Sequence, residues 1–202
     1  VTQFALPLDW HSARNQRCII PCEANRDAIA FLDKPDQWPS HCVILTGARK
    51  SGRSTLAATI AMTRGVTVID DADREDEAAL FHAWNRTRET GGQLLLVAGQ
   101  QPPGWEIRLP DLRSRLATAA IVRIGEPDED LAQLLIEQGL AQAGTAYAPD
   151  LAPYLAARLP RCYDAIDAAI ASLNAESLSS GGKISLLRAK LILAGTSLLA
   201  ED

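Results

Sequence analysis

Gly47-Ala48-Arg49-Lys50-Ser51-Gly52-Arg53-Ser54 is the stretch on which the reading of this chain turns. It follows an unbroken apolar run, Cys42-Val43-Ile44-Leu45-Thr46, and opens a helical stretch from Ser54 to Arg64. Strand, glycine-bounded loop and helix, in that order, is the context of a phosphate-binding loop. Gly47 and Gly52 let the backbone bend around phosphate oxygens and present its N–H groups, and the following helix adds its N-terminal dipole. Ser54 supplies a hydroxyl for Mg²⁺, and Thr55 follows it in the same turn. Arg53 stands where lysine is usual. A guanidinium is planar and wide, so it can pair phosphate oxygens without filling a lysine's slot. Nucleotide binding is therefore expected to survive and hydrolysis to be weak, with Lys50 as a second cation in the loop.

Working outward, Val66-Thr67-Val68-Ile69-Asp70-Asp71 is an apolar strand ending in two carboxylates. In that topological relation to a phosphate loop, Asp70 is expected in the Mg²⁺ shell, with Asp71 orienting an attacking water. Leu94 to Ala98 and Ala120 to Ile124 are further strand candidates, and Cys18-Ile19-Ile20 is a short extra one. Strands without polar alternation are expected when both faces of a parallel sheet are covered. Asp76 to Glu89 reads as a helix, with Leu80 and Trp84 one turn apart on an apolar face.

After Pro127 the pattern becomes all helix. Asp128 can cap a helix ending near Gly144, Pro149 opens a second, and Pro160 starts a third through Leu173. Ser179-Ser180-Gly181-Gly182 reads as a loop before a last amphipathic stretch, Ile184 to Leu199. The fold class expected is α/β: a P-loop core over residues 13–126 with a parallel sheet, then a small all-helical lid over 127–202.

Bulk composition narrows the functions. The formal net charge is −5, with 20 basic residues scattered among 25 acidic ones, which argues against a protein that coats nucleic acid. No apolar run is long enough to span a bilayer and no signal-peptide pattern is seen, so a cytoplasmic protein with no membrane partner is expected. Cys18 and Cys22 have no matching second pair, and His11, His41 and His82 stand far apart, so buried thiols are expected rather than a zinc site.

Three strings carry a family resemblance: Asp70-Asp71-Ala72-Asp73, then Ala79-Leu80-Phe81-His82-Ala83-Trp84-Asn85-Arg86, then Leu109-Pro110-Asp111-Leu112-Arg113-Ser114-Arg115-Leu116. Together with Trp38-Pro39-Ser40 and Glu23-Ala24-Asn25-Arg26-Asp27-Ala28, they resemble the Hda family of AAA+ regulators, relatives of the bacterial replication initiator DnaA, in its alphaproteobacterial form. The resemblance covers essentially the whole chain. It implies that Arg115 is an Arg finger acting in trans on a neighbouring nucleotide, where it would stabilise charge on the transferring phosphoryl group. It also implies a sensor-2 arginine in the lid, with Arg161 as the candidate and Asp164 in the other register. Gln3-Phe4-Ala5-Leu6-Pro7-Leu8, within a tail of residues 1–12, resembles the family's clamp-binding peptide. There Gln3 would hydrogen-bond a groove while Phe4, Leu6 and Leu8 supply apolar contacts.

Two departures stand out. The sensor-1 position falls on Ala98, where a polar residue is usual, and the chain runs almost directly from the Ser54 helix to Val66. Family members insert a strand and helix there, so the sheet is expected to be short by one strand–helix unit.

The resemblance thus implies a regulator that binds ADP or ATP with Mg²⁺ and docks on the sliding clamp, the beta subunit of DNA polymerase III. It would promote hydrolysis of DnaA-bound ATP, and finger-to-pocket pairing also allows a nucleotide-dependent homo-oligomer. A stand-alone P-loop ATPase or phosphotransferase is the alternative. A DNA-binding initiator is disfavoured, because no helix-turn-helix stretch follows the lid, and sequence-specific DNA binding is not expected.

Overall fold

The computed structural model describes residues 19–194. Four strands, β1 (Cys42–Gly47), β2 (Thr67–Ile69), β3 (Leu94–Val97) and β4 (Ala120–Ile124), form one sheet in the order β2-β3-β1-β4. All neighbouring pairs are parallel, and Val43 lies in register with both Leu95 and Ala120. Successive side chains of a strand point to opposite faces, and here both faces are covered. Val43, Leu45, Leu95, Val97, Val122 and Ile124 join a core with helices α1 (Glu23–Leu32) and α2 (Arg53–Arg64). Cys42, Ile44, Leu94 and Leu96 face α3 (Glu77–Glu89) and α4 (Pro110–Leu116), meeting Leu80, Trp84, Leu112 and Leu116. The unbroken apolar runs follow from this double coverage. Burying each such side chain contributes roughly 1.5–3 kcal/mol before entropy is charged against it.

The α/β core is short by the expected unit. Gly65 closes α2 in the left-handed conformation at φ +68°, its N–H donating to the Ala61 carbonyl, and β2 begins two residues later. The carboxylate-bearing strand is therefore an edge of the sheet among the described residues, and it is only three residues long.

The helical part contains α5 (Glu129–Gln142), α6 (Leu151–Ala156), α7 (Tyr163–Ser180) and α8 (Leu186–Ala194). Ile136, Leu140, Leu151, Leu155, Ile166 and Leu173 form its own core. Gly139 permits the close approach of α5 and α7: a Cβ there would lie 2.5 Å from Ile170 Cδ1. Asp128 caps α5, its carboxylate accepting from the Leu131 N–H at 2.7 Å.

Several boundaries differ from the sequence reading. The second lid helix begins at Leu151 rather than Pro149 and makes less than two turns. The third begins at Tyr163 rather than Pro160 and runs beyond Leu173 to Ser180. Ser179 and Ser180 are helical rather than loop, because both hydroxyls donate back to the Glu176 carbonyl, at 2.9 and 2.8 Å. Gly181 then stops the helix at φ +65°. Ile19 and Ile20 form no strand, since the Ile20 carbonyl accepts from the Asn25 amide at 2.9 Å and the pair turns into α1. Cys18, the tail with Gln3, Phe4, Leu6 and Leu8, and residues 195–202 lie outside the described residues.

Candidate functional site

The phosphate loop joins β1 to α2 at the C-terminal edge of the sheet. Gly47 must be small: a Cβ would sit 2.9 Å from Ser51 Oγ and 3.1 Å from the Ile124 carbonyl. Lys50 occupies the left-handed region at φ +62° and Gly52 at φ +86°. For lysine that conformation costs about 1–3 kcal/mol, a strain that the surroundings must hold in place. The result is a tight concave turn. Ser51 is buried, with its Oγ shielded from solvent and without a hydrogen-bond partner. Gly52, at the N-cap of α2, brings no side-chain cap to the helix's first N–H groups. An orphan hydroxyl and an uncapped helix start in one turn make a cradle suited to an anion.

Two of the loop's three cations, Arg53 and Lys50, have internal partners. The Arg53 guanidinium donates from Nη1 to the carbonyl of Ala98, the residue that follows β3. A backbone oxygen therefore meets the Arg53 cation at the position where a polar side chain was expected. Asp73 braces the same strand end, its Oδ2 accepting from the N–H groups of Gly99 at 3.0 Å and Gln100 at 3.3 Å. Lys50 forms an ion pair with Asp167 of α7, joining the phosphate loop to the helical lid.

Beneath that pair lies a cavity of about 90 Å³ lined by Ile19, Ile20, Ser51, Leu131, Leu135 and Tyr163, among others. A neighbouring one of about 160 Å³ shares Lys50, Leu135 and Tyr163 and includes Asp167. Each is small against the ~300–1,000 Å³ usual for a drug-sized ligand. A wider hollow of about 450 Å³ opens at the strand ends, bounded by Ala48, Gly99, Gln100, Arg123 and Glu126 among others. Gly125 stands at the end of β4, before the helical part; its N–H donates to the Ala24 carbonyl at 2.8 Å and its carbonyl accepts from the Tyr163 hydroxyl at 3.1 Å. Burial pushes the Tyr163 phenol up to about 12, so it remains a donor.

Ser54 is exposed in the first turn of α2, and Asp70 is exposed after β2, its Oδ1 accepting from the Asp71 N–H at 3.0 Å. Ser54 follows β1 and Asp70 follows β2, both beyond the C-terminal ends of their strands, and hydroxyl and carboxylate oxygens are donor types suited to Mg²⁺. Asp71 adopts a left-handed conformation at φ +48° and starts the turn Ala72–Arg74, which carries Asp73 to its brace. Thr55 lines the smaller cavity with Gly52.

Arg115 lies on a different face, in the last turn of α4. Its guanidinium carbon is 4.1 Å from the Phe81 ring centroid and 4.3 Å from that of Trp84, and Nη1 donates to Asn85 Oδ1. Trp84 in turn meets His41 edge-on, with ring centroids 4.3 Å apart. Phe81, Trp84 and Asn85 all come from α3, within the string that carried the resemblance. Arg161 precedes α7 and is exposed, with its guanidinium 4.0 Å from Glu129. Asp164 is exposed in the first turn of α7, and the α7 side chain that reaches the phosphate loop is Asp167. Sequence reasoning did not single out Asp167; its spacing one turn beyond Tyr163 was the available signal.

No family model matches the chain. An uncharacterised protein of Haemophilus influenzae is 28% identical over 120 residues, 59% of this chain and 52% of that protein, so the chain spans about half that relative's length. Among solved structures, domain III of the Thermotoga maritima replication initiation protein DnaA superposes with a TM-score of 0.71 at 15% identity, over 91% of this chain and 95% of that one. AMPPCP-bound DnaA from Aquifex aeolicus gives 0.58 at 16% identity, over 80% and 65%. The Thermotoga maritima RuvB Holliday junction branch migration motor gives 0.62 at 14%, over 87% and 69%. At these identities the likeness is one of fold, and the chain has the AAA+ P-loop fold. Among the described residues no helix is long and apolar enough to cross a membrane.

Proposed function

We propose that the chain is a nucleotide-dependent regulator of replication initiation of the Hda type, which acts on DnaA rather than by rapid turnover of its own. The observation that carries nucleotide binding is the phosphate loop itself. Its buried Ser51 hydroxyl lacks a partner, its helix starts without a side-chain cap, and a Cβ at Gly47 would fill it. Adenine nucleotide, ADP or ATP, would lie along Gly47, Lys50, Gly52, Arg53, Ser54 and Thr55. Mg²⁺ held by Ser54 and Asp70 would neutralise phosphate charge. Arg53, facing the Ala98 carbonyl, is a broad cation without a polar sensor beside it, which supports slow hydrolysis despite Asp71. Arg161, exposed beside Glu129, would serve as sensor 2.

Arg115 would be presented in trans to ATP on DnaA. Its fixation between Phe81 and Trp84 supports the role, because a finger held in one pose loses less entropy on engaging a phosphate. The tail residues Gln3, Phe4, Leu6 and Leu8 would tether the protein to the sliding clamp.

The test has two arms. Arg115→Ala should keep the fold and clamp binding while abolishing stimulation of DnaA's ATPase; undiminished stimulation refutes the finger. Gln3→Ala with Leu6→Ala should abolish clamp binding. Rapid turnover by the isolated protein, removed by Asp71→Asn, would instead establish a stand-alone ATPase.

A further inference from the structure

Asp167 presents a carboxylate to the phosphate loop from the lid, the side from which a nucleotide would be covered. Its partner Lys50 stands at the strained apex of that loop, so one ion pair spans the seam between core and lid. The two cavities flanking the pair, about 90 and 160 Å³, both include Lys50, Leu135 and Tyr163. Each of these two cavities is too small for a nucleotide, whereas the hollow of about 450 Å³ at Gly47 and Ala48 is wider. A loop lysine held by a carboxylate is also a loop lysine withheld from phosphate, and the carboxylate itself repels phosphate charge.

We propose that Asp167 is an affinity-setting residue of the nucleotide site: it pairs with Lys50 across the seam between core and lid, and phosphate must displace it for Lys50 to engage a nucleotide. The proposal rests on the nucleotide-binding reading above and adds its regulation. The pair is half-exposed, with side-chain exposures of 46% and 53%. Such a contact is weak, and phosphate can exchange with the carboxylate readily. The carboxylate thus competes with the ligand for the same ammonium group. Solvent salt, which screens exposed pairs, should loosen the lid.

The experiment compares the full chain with Asp167→Asn and with Asp164→Asn, which removes an equal charge one turn away on the same helix. Two quantities are read: amide hydrogen exchange of residues 48–53 without nucleotide, and binding of fluorescent ADP and ATP analogues. Asp167→Asn should raise exchange across the loop several-fold and tighten nucleotide binding about fivefold, the scale of an exposed ion pair, while Asp164→Asn does neither. Unchanged exchange with equal affinity in all three proteins overturns the gate and leaves nucleotide binding standing. Faster exchange in Asp167→Asn with no binding by any protein overturns nucleotide binding and the gating of it together. Equal effects from both variants reduce the finding to net charge and also overturn the proposal.

Discussion

Arg53 and Arg115 are each anchored by an oxygen acceptor, yet their surroundings differ in kind. Around Arg53 the contacts are polar: a strand-end carbonyl, the Asp73 brace nearby, and an exposed ion pair at Lys50 that crosses from core to lid. Around Arg115 they are aromatic and come from one helix, α3, packed against the sheet. Polar contacts across a seam can be traded for water or ligand at little cost. A cation over two ring faces, worth about 0.5–2 kcal/mol per contact, is bound to a surface that is itself part of the core. The first arrangement suits a site that must open, the second a group that must be found in one place.

The contrast can be broken most forcefully at Trp84, which is 8% exposed and touches both Arg115 and His41. Trp84→Ala should cost about 3–5 kcal/mol in urea unfolding, and the nucleotide cleft should still bind ligand in the fraction that remains folded. Loss of Trp84 without loss of stability would mean that the Arg115 face is not an extension of the core.

Gly47→Ala attacks the other side. A methyl pressed against the Ile124 carbonyl and Ser51 should cost about 1–3 kcal/mol and abolish binding of a fluorescent adenine nucleotide. The Arg115 face should be unaffected, as read by the environment of the Trp84 fluorescence. Asp73→Ala comes next, at about 0.5–1.5 kcal/mol. It frees the Gly99 and Gln100 amides, whose hydrogen exchange should accelerate ahead of that of β3.

The smallest effect concerns pH. The Glu77 carboxylate accepts from the N–H groups of Arg108 at 2.8 Å and Leu109 at 2.6 Å, and those bonds hold its pKa below the usual 4.5. A group depressed in the folded state adds stability that is complete above its unfolded value and lost as pH falls through the folded one. Glu77→Gln should therefore lower stability slightly at neutral pH and flatten the acid limb below about pH 4.5, where variant and wild type converge. Since Glu77 ties α3 to the segment that enters α4, an unchanged limb would loosen the case for a fixed Arg115.

How much of this was readable in the residues depended on the range of the signal. The strands were plain because Val43, Leu45, Leu94 and their neighbours are apolar on both faces, and Gly47 and Gly52 mark the loop by sterics that act within a few residues. The Leu80 and Trp84 face was readable for the same reason, as helical spacing is local. The serines at 179 and 180 misled because a hydroxyl can serve a helix end as well as a loop. The Lys50–Asp167 pair was beyond reach: its members are 117 positions apart, and only the docking of lid on core brings them together. Nor could spacing reveal that Phe81 and Trp84 would take Arg115 between them, because that depends on how α3 and α4 cross.

Gly125 carries a mechanical consequence. The two peptide units that meet at its Cα are each held: the N–H of one donates to the Ala24 carbonyl, and the carbonyl of the next accepts from the Tyr163 phenol. Such bonds would couple any movement on one side of the residue to the other. Movement of the lid there would pull on α1 as well as on β4, so Ile19 and Ile20, which enter α1 and line the cavity beside Lys50, would register the position of the lid.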